Sequence, residues 1–364
     1  MIGSLILRFL PAFLHPAVNR IRESPKQGIP PGLQTDAVNH AATKLYNGKI
    51  LSIYYKRLRS WRKSGTFRIF LNFTDGRTFT MIYKRMVYSI DEIPANDKLP
   101  AKQGPPEYLV ASILTGPLVS FKPITYWQSH NKTEECFEYL FEDLQDDYVP
   151  FVDYQKTHSE RSICKSLAEM HRALREQIFD LDRNMLIKFD NDYARKVWIY
   201  TLDSLPGYYK LTGDPIVNKF LKDSSKIEAE FFDPFFESNR PKQIIHGDCN
   251  GTNIWVKEGT NALEMKAVDW EWAGYGMPHA DLISILKWRT KEEKEDFLKE
   301  YCANAGLTDI SRETRWLKRA NMERAILDAG FLAKQYQNPK TSKEWFKTFV
   351  HDSLVHLIQE ASVS

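Results

Sequence analysis

Cysteine is scarce in this chain. Only Cys136, Cys164, Cys249 and Cys302 occur in 364 residues, far apart and without a CxxC pair, so neither a zinc cluster nor a disulfide framework is indicated. A reducing cytoplasm is the simplest setting for such a chain. Charge of one sign is also missing. The net charge is +3, with Lys and Arg scattered rather than gathered into a stripe interleaved with aromatics, which argues against nucleic acid as a partner. No apolar run reaches bilayer-spanning length. The N-terminal "MIGSLILRFLPAFLHPAVNRIR" comes nearest, but Arg8, Pro11 and His15 interrupt it, and it lacks the basic flank and small-residue cleavage site of a signal peptide. It reads as a short amphipathic helix docked on the protein, with a weak membrane-surface anchor as the alternative. Internal repeats and low-complexity blocks are absent too.

What remains is ordinary globular composition, 43% hydrophobic and 27% charged, in a chain long enough for two lobes with separate cores. The stretch "ESPKQGIPPGLQTD" reads as a linker or irregular arm. Then "KILSIYYKRLRSW", "GTFRIFLNFT" and "RTFTMIYKRM" turn rich in β-branched and aromatic residues, and the middle one alternates Phe67, Ile69, Leu71 and Phe73 on one face. Asp75-Gly76 is a hairpin signal, because both positions favour residues that tolerate positive φ. An antiparallel meander follows. In "PPEYLVASILTG", Pro106 before Glu107, Gly116 at the end and a stripe of Leu109, Ile113 and Leu114 predict a helix.

"FEYLFEDLQ" is a further strand running into acids, and from about Pro150 helices dominate. "RSICKSLAEMHRAL" carries Ile163, Leu167, Met170 and Leu174 at helical spacing, and three amphipathic helices close the chain from "KEEKEDFLKEYC" onward. Strands first and helices afterwards predict an α+β protein of two unequal lobes. The expected divisions are an arm over residues 1–44, a first lobe and hinge over 45–145, and a second lobe over 146–364.

The chemistry concentrates in "IIHGDCNGTNIWV" and its continuation "ALEMKAVDWEWAGYGMPHADLISIL". Short apolar strands "QIIH", "NIWV" and "MKAVD" are joined so that Asp248, Asn253 and Asp269 come to neighbouring strand ends. Hard oxygen atoms in that number suit Mg²⁺, which keeps waters and phosphates as its other ligands. A metal–phosphate centre also needs a cation for the phosphates. Lys84, sharing a strand face with Ile82, can supply it, and Glu107 on the following helix is placed to pair with Lys84. Taken singly, each has a plainer reading: Lys84 as an exposed strand lysine, Asp248 and Asp269 as strand-end acids, Asp281 as a helix cap, His246 as a loop brace, His171 as a satisfied core residue.

Together, H-G-D, then N, then an apolar strand ending D-W-E and a later D-L, with "SLAEMHRAL" upstream, resemble the aminoglycoside phosphotransferase and choline kinase group. That resemblance implies a two-lobed protein-kinase-like fold, a small antiparallel-sheet N-lobe and a larger, mostly helical C-lobe. It implies ATP and Mg²⁺ as the phosphoryl donor, Asp248 orienting the acceptor hydroxyl, Asn253 and Asp269 holding the metal, Lys84 on the α- and β-phosphates, and Glu107 positioning Lys84. "FEYLFEDL" becomes the hinge against adenine and "RKSG" the turn over the phosphates, although it departs from a full G-x-G-x-x-G. It also implies a hydrogen bond from Asp281 to the catalytic loop.

Gly247 stands where protein kinases have arginine, and little chain follows Asp269 before the next helix, so a small-molecule acceptor is expected: an amino alcohol, an aminoglycoside-like amine or a sugar. Trp270, Glu271 and Trp272 are either an aromatic cage for such an amine or lobe packing, and packing is preferred. The competing classes are a pseudokinase or nucleotide-binding module of the same fold, and a metal-dependent phosphoesterase. The latter lacks the extra His and Asp ligands of a two-metal site. ATP or GTP as donor, and the oligomeric state, stay open.

Overall fold

The computed structural model describes residues 24–58, 65–87, 106–134, 136–176, 186–260, 263–287, 289–339 and 342–362. The N-terminal apolar stretch and most of the "RKSG" turn lie outside them.

The first lobe is built on a six-stranded sheet: β1 (Lys26–Gln27), β2 (Ile50–Leu58), β3 (Gly65–Phe73), β4 (Thr78–Val87), β5 (Thr125–Asn131) and β6 (Cys136–Glu142), in the order β1-β2-β3-β4-β6-β5 and antiparallel throughout. The expected alternation holds: Phe67, Ile69, Leu71 and Phe73 are all buried on one face. In the hairpin between β3 and β4 only Gly76 takes positive φ, at +85°, and its N–H donates to the carbonyl of Phe73. The Asp75-Gly76 signal is correct, but Asp75 keeps an ordinary conformation, so the turn has one left-handed position rather than two.

The segment expected as a linker contributes structure of its own. Lys26 and Gln27 pair with β2, and α1 (Thr35–Leu45) lays Ala37, Val38, Ala41 and Ala42 on the face made by Ile69, Leu71 and Phe73. Prolines and glycines masked this helix because they end at Gly32, and the small side chains that follow let it approach the sheet closely. Helix α2 (Pro106–Ser112) is shorter than its stripe suggests: Leu114 lies beyond its end and is 70% exposed.

In the second lobe, α3 (Phe151–Tyr154), α4 (Cys164–Glu176), α5 (Asn191–Thr212), α6 (Pro215–Phe231), α7 (Pro234–Ser238), α8 (His279–Leu286), α9 (Lys291–Ala305), α10 (Ile310–Tyr336) and α11 (Trp345–Ser362) surround short strands. Helix α9 opens on a capping box, with the Thr290 hydroxyl accepting from the Glu293 amide and the Glu293 carboxylate from the Thr290 amide. Two apolar cores form. One joins α4, α8 and α9 to the strands; the other joins α5, α6 and α11. Helix α10 belongs to both, through Trp316, Leu317 and Ala320 at one end and Ile326, Ala329 and Ala333 at the other.

The short strands are β7 (Val149–Pro150), β8 (Ile187–Lys188), β9 (Gln243–Ile245), β10 (Ile254–Lys257), β11 (Glu264–Ala267) and β12 (Gly274–Gly276). β9 and β10, adjacent in sequence, do not pair with each other. β9 pairs with β12, and β10 lies between β11 and β7. The loop Gly247–Asn253 therefore bridges two sheets, which explains why it holds more polar groups than a hairpin turn requires. Its backbone has no ladder to join and must be satisfied by side chains.

Candidate active site

The bridging loop is fixed first by Asp281. One oxygen of this fully buried carboxylate accepts from the backbone N–H of His246 at 2.9 Å, the other from that of Gly247 at 2.8 Å. Pro278 occupies the N-cap position of α8, so Asp281 is no helix cap, and the loop bond implied by the family resemblance is the one found. Behind it, the Nε2 of buried His171 lies 3.2 Å from Asp281, and its Nδ1 2.7 Å from the hydroxyl of Tyr301. The tautomer with hydrogen on Nε2 satisfies both contacts. His171 is thus a core residue with a task, reaching the loop through Asp281.

His246 braces the same loop from within, its Nε2 donating to the carbonyl of Val268 at 2.9 Å and its Nδ1 accepting from the Asp248 amide at 3.3 Å. Asn250, which sequence alone left without a task, accepts on Oδ1 from the Thr252 amide and hydroxyl at 2.9 and 2.6 Å. Gly247 has φ +81°, and a Cβ there would stand 2.1 Å from the carbonyl oxygen of Trp272. The absent side chain has a local steric cause in this chain, beyond any inference about the size of the acceptor.

Held this way, the loop joins Asp248 to Asn253, whose Nδ2 donates to the Asp248 carbonyl at 3.0 Å and to its carboxylate at 3.1 Å. The amide oxygen of Asn253 remains as the atom it can offer a ligand. On its other oxygen, Asp248 accepts from Nη1 of Arg324 at 3.3 Å; Arg324 in turn pairs with Asp328 at 3.1 Å, and Asp328 with Lys287. Sequence reading missed Arg324. The spacing of Arg324 and Asp328, one helical turn apart, was visible as an ion pair, but nothing local pointed to a partner 76 positions upstream.

Across the cleft, Lys84 sits on the β4 face opposite Met81 and Tyr83, which are buried under α1. Its ammonium is 2.7 Å from Glu107, 2.7 Å from Asp269 and 3.5 Å from Glu271. Three carboxylates thus face one cation, an excess of two negative charges when all are ionised. Burial together with the neighbouring acids Asp269 and Glu271 pushes the Glu107 carboxyl up to about 7, against the pull of Lys84. Asp269 is the opposite case. Burial alone would raise it, but the ammonium of Lys84 outweighs that and holds it down at about 2. Asp269 is also the one non-glycine residue with positive φ among those described, at 63°. Such a conformation costs on the order of 1–3 kcal/mol and persists where surrounding contacts impose it, commonly at functional sites.

Lys84, Glu107, Asn253 and Asp269 line one cleft together with Phe141 and Glu142 at the end of β6 and Asp143 and Leu144 just after it, the stretch expected as the hinge. Asp248 lies beside this cleft with Arg324. Trp270 is buried and its indole N–H donates to the carbonyl of Ala267 at 2.7 Å, while Glu271 is drawn to Lys84, so the packing reading of Trp270 holds.

Among the described residues no three His, Cys, Asp or Glu side chains converge on a point as a ready metal site. A mixed set of Asp269 and Asn253 nevertheless fits Mg²⁺, which takes one or two carboxylates and completes its shell with phosphate oxygens and water. The negative charge that Asp269 and Glu271 leave beside Lys84 is of the sign that a bound cation would offset. No helix among the described residues is long and apolar enough to cross a membrane, and all four cysteines are unpaired.

Residues 146–318 match the family model described as "Phosphotransferase enzyme family". The fold is similar to that of a microcompartment-associated aminopropanol kinase, at TM-score 0.53 and 14% identity over 90% of this chain and 96% of that one. It is likewise similar to the GDP complex of an aminoglycoside 2'-phosphotransferase-IIIa (TM-score 0.53, 12% identity, 90% and 98% covered). Choline kinase from Cryptosporidium parvum Iowa II matches at TM-score 0.54 and 12% identity, over 85% of this chain and 89% of that one. No curated protein matches the sequence. The resemblance drawn from H-G-D, Asn253 and D-W-E stands, and the architecture is the two-lobed kinase-like α+β fold.

Proposed function

From a phosphotransferase-family match over residues 146–318 and a kinase-like fold, we propose that this chain transfers the terminal phosphoryl group of a nucleoside triphosphate, ATP in the simplest case, to a hydroxyl of a small molecule. The observation that carries this reading is the single ammonium of Lys84, held between Glu107 and Asp269 at 2.7 Å each, in a cleft that Asn253 also lines. Such a lysine is extended, charged and ready to meet phosphate oxygens, with Glu107 fixing its position. Asp269 and Asn253 would hold Mg²⁺, which when bound neutralises phosphate charge.

Asp248 orients the acceptor hydroxyl and accepts its proton as the oxygen attacks phosphorus. Its carboxylate is set for this by Asn253 on one oxygen and Arg324 on the other. Most of the rate then comes from positioning and charge stabilisation. An amino alcohol, an aminoglycoside-like amine or a sugar is the acceptor class, in keeping with the small-molecule kinases among the structural neighbours. The unpaired cysteines support a reducing, cytoplasmic setting.

The test is a thermal-shift titration with ATP and with GTP, each with Mg²⁺, followed by a nucleotide-consumption screen over pooled amines, sugars and amino alcohols. Absence of any shift sinks the kinase reading. A shift without consumption across the pools favours a nucleotide-binding module that has lost turnover.

A further inference from the structure

Lys122 follows a short 3-10 turn, Pro117–Phe121, and is only 3% exposed, yet it lines the same cleft as Lys84 and Asp269. Its ammonium reaches the carbonyl of Ala111 at 3.5 Å and the hydroxyl of Thr125 at 3.3 Å, both long for a charged donor. Among the described residues no carboxylate lies within ion-pair distance of it. Burial, with Lys266 nearby, pushes its amine down to about 8. Thr125 stands opposite Phe141 in the β5–β6 register, so the ammonium is set where β5 meets the end of β6, at the segment expected to receive the base. A buried cation with no counter-ion, facing a cavity, is a donor awaiting an acceptor from a ligand.

We propose that Lys122 selects the base: it donates to O6 of a guanine, so that the cleft prefers guanosine to adenosine nucleotides. This rests on the cleft being the nucleotide site. A lysine ammonium has three donors and no acceptor. Guanine presents acceptors at O6 and N7, whereas adenine places an amino donor at the position of O6, where it would confront an ammonium with neither group satisfied. Glu142 and Asp143 line the same wall but are already held by Lys266 and Arg68, which leaves Lys122 as the group that tells the two bases apart.

The experiment is isothermal titration of the full chain with GDP and with ADP in Mg²⁺, for the native protein and Lys122→Met. The expected result is GDP bound roughly tenfold or more tightly than ADP by the native chain, with the margin lost in Lys122→Met through weaker GDP binding. Equal affinities in the native chain, or a margin that survives the substitution, overturn the proposal while leaving the nucleotide site intact. Failure of both nucleotides to bind overturns the nucleotide reading itself. The substitution removes an uncompensated buried charge and is expected to fold, which a thermal melt checks; the native comparison is decisive without it.

Discussion

The guanidinium of Arg324, on helix α10, donates to the same Asp248 carboxylate that the neighbouring Asn253 holds from the other side. Asp248 is therefore clamped between a loop residue and a helix from a different part of the chain. Arg324→Gln should loosen this clamp and lower kcat by about tenfold, a modest misplacement cost for an oriented group. Nucleotide affinity should be unchanged, because Arg324 does not line the Lys84 cleft. Steady-state kinetics with an independent titration of Mg·ATP separate the two; equal loss in both would refute the positioning role.

Replacement of the clamped group itself is a sharper test. Asp248→Ala should abolish turnover and leave Mg·nucleotide binding nearly intact, whereas Asp269→Ala should weaken that binding directly. Calorimetry on both variants checks the division of labour. Native-rate turnover in Asp248→Ala would remove Asp248 from the mechanism.

Gly247→Ala should be severely destabilising. The added carbon meets the Trp272 carbonyl at 2.1 Å and must adopt φ +81°, so a cost of about 3 kcal/mol is expected from strain and steric displacement together. Urea denaturation measures it. Arginine at this position, as in protein kinases, should fare no better, because the obstacle is backbone and not the absence of a phosphorylated partner.

Stability should vary with pH through Glu107. Its carboxyl is raised to about 7 in the folded chain, above the ordinary range near 4.3. Between about pH 4.5 and 7 the folded state therefore holds a proton that the unfolded state has released, and the unfolding free energy falls as pH rises through that window. Asp269, held at about 2, acts oppositely: its contribution is present above its unfolded value near 3.9 and is lost as pH falls toward 2. Melts of Glu107→Gln across pH 4.5–7 should lack the downward slope that Glu107 contributes. An unchanged slope would mean that Glu107 is ionised throughout.

Much of this is legible in the chain alone. The period-two alternation from Phe67 to Phe73 can only serve a half-buried strand, and Asp248, Asn253 and Asp269 sit at spacings that strand–loop–strand geometry brings together. Lys84 and Glu107 could be matched by chain order, a strand lysine followed by an acid at the start of the next helix, and the fold brings them to 2.7 Å. Contacts set by tertiary packing were not legible. Arg324 reaches Asp248 only because two helical cores meet along α10, and no local pattern encodes that meeting. Helix α1 was hidden by the prolines just before it, and Leu114 extended a stripe past the point where the helix stops. The pairing of β9 with β12, and not with β10, is decided by partners absent from the local stretch.

Helix α10 has one further consequence. At about 1.5 Å per residue its 27 residues form a strut roughly 40 Å long, seated in one core at Trp316 and in the other at Ala333, with Arg324 between. Substitutions at Ala329 or Ala333, remote from the nucleotide cleft, would tilt or slide this strut and so re-aim the guanidinium on Asp248. The aim of the Asp248 carboxylate is thus set in part by a helix packed deep in the second lobe.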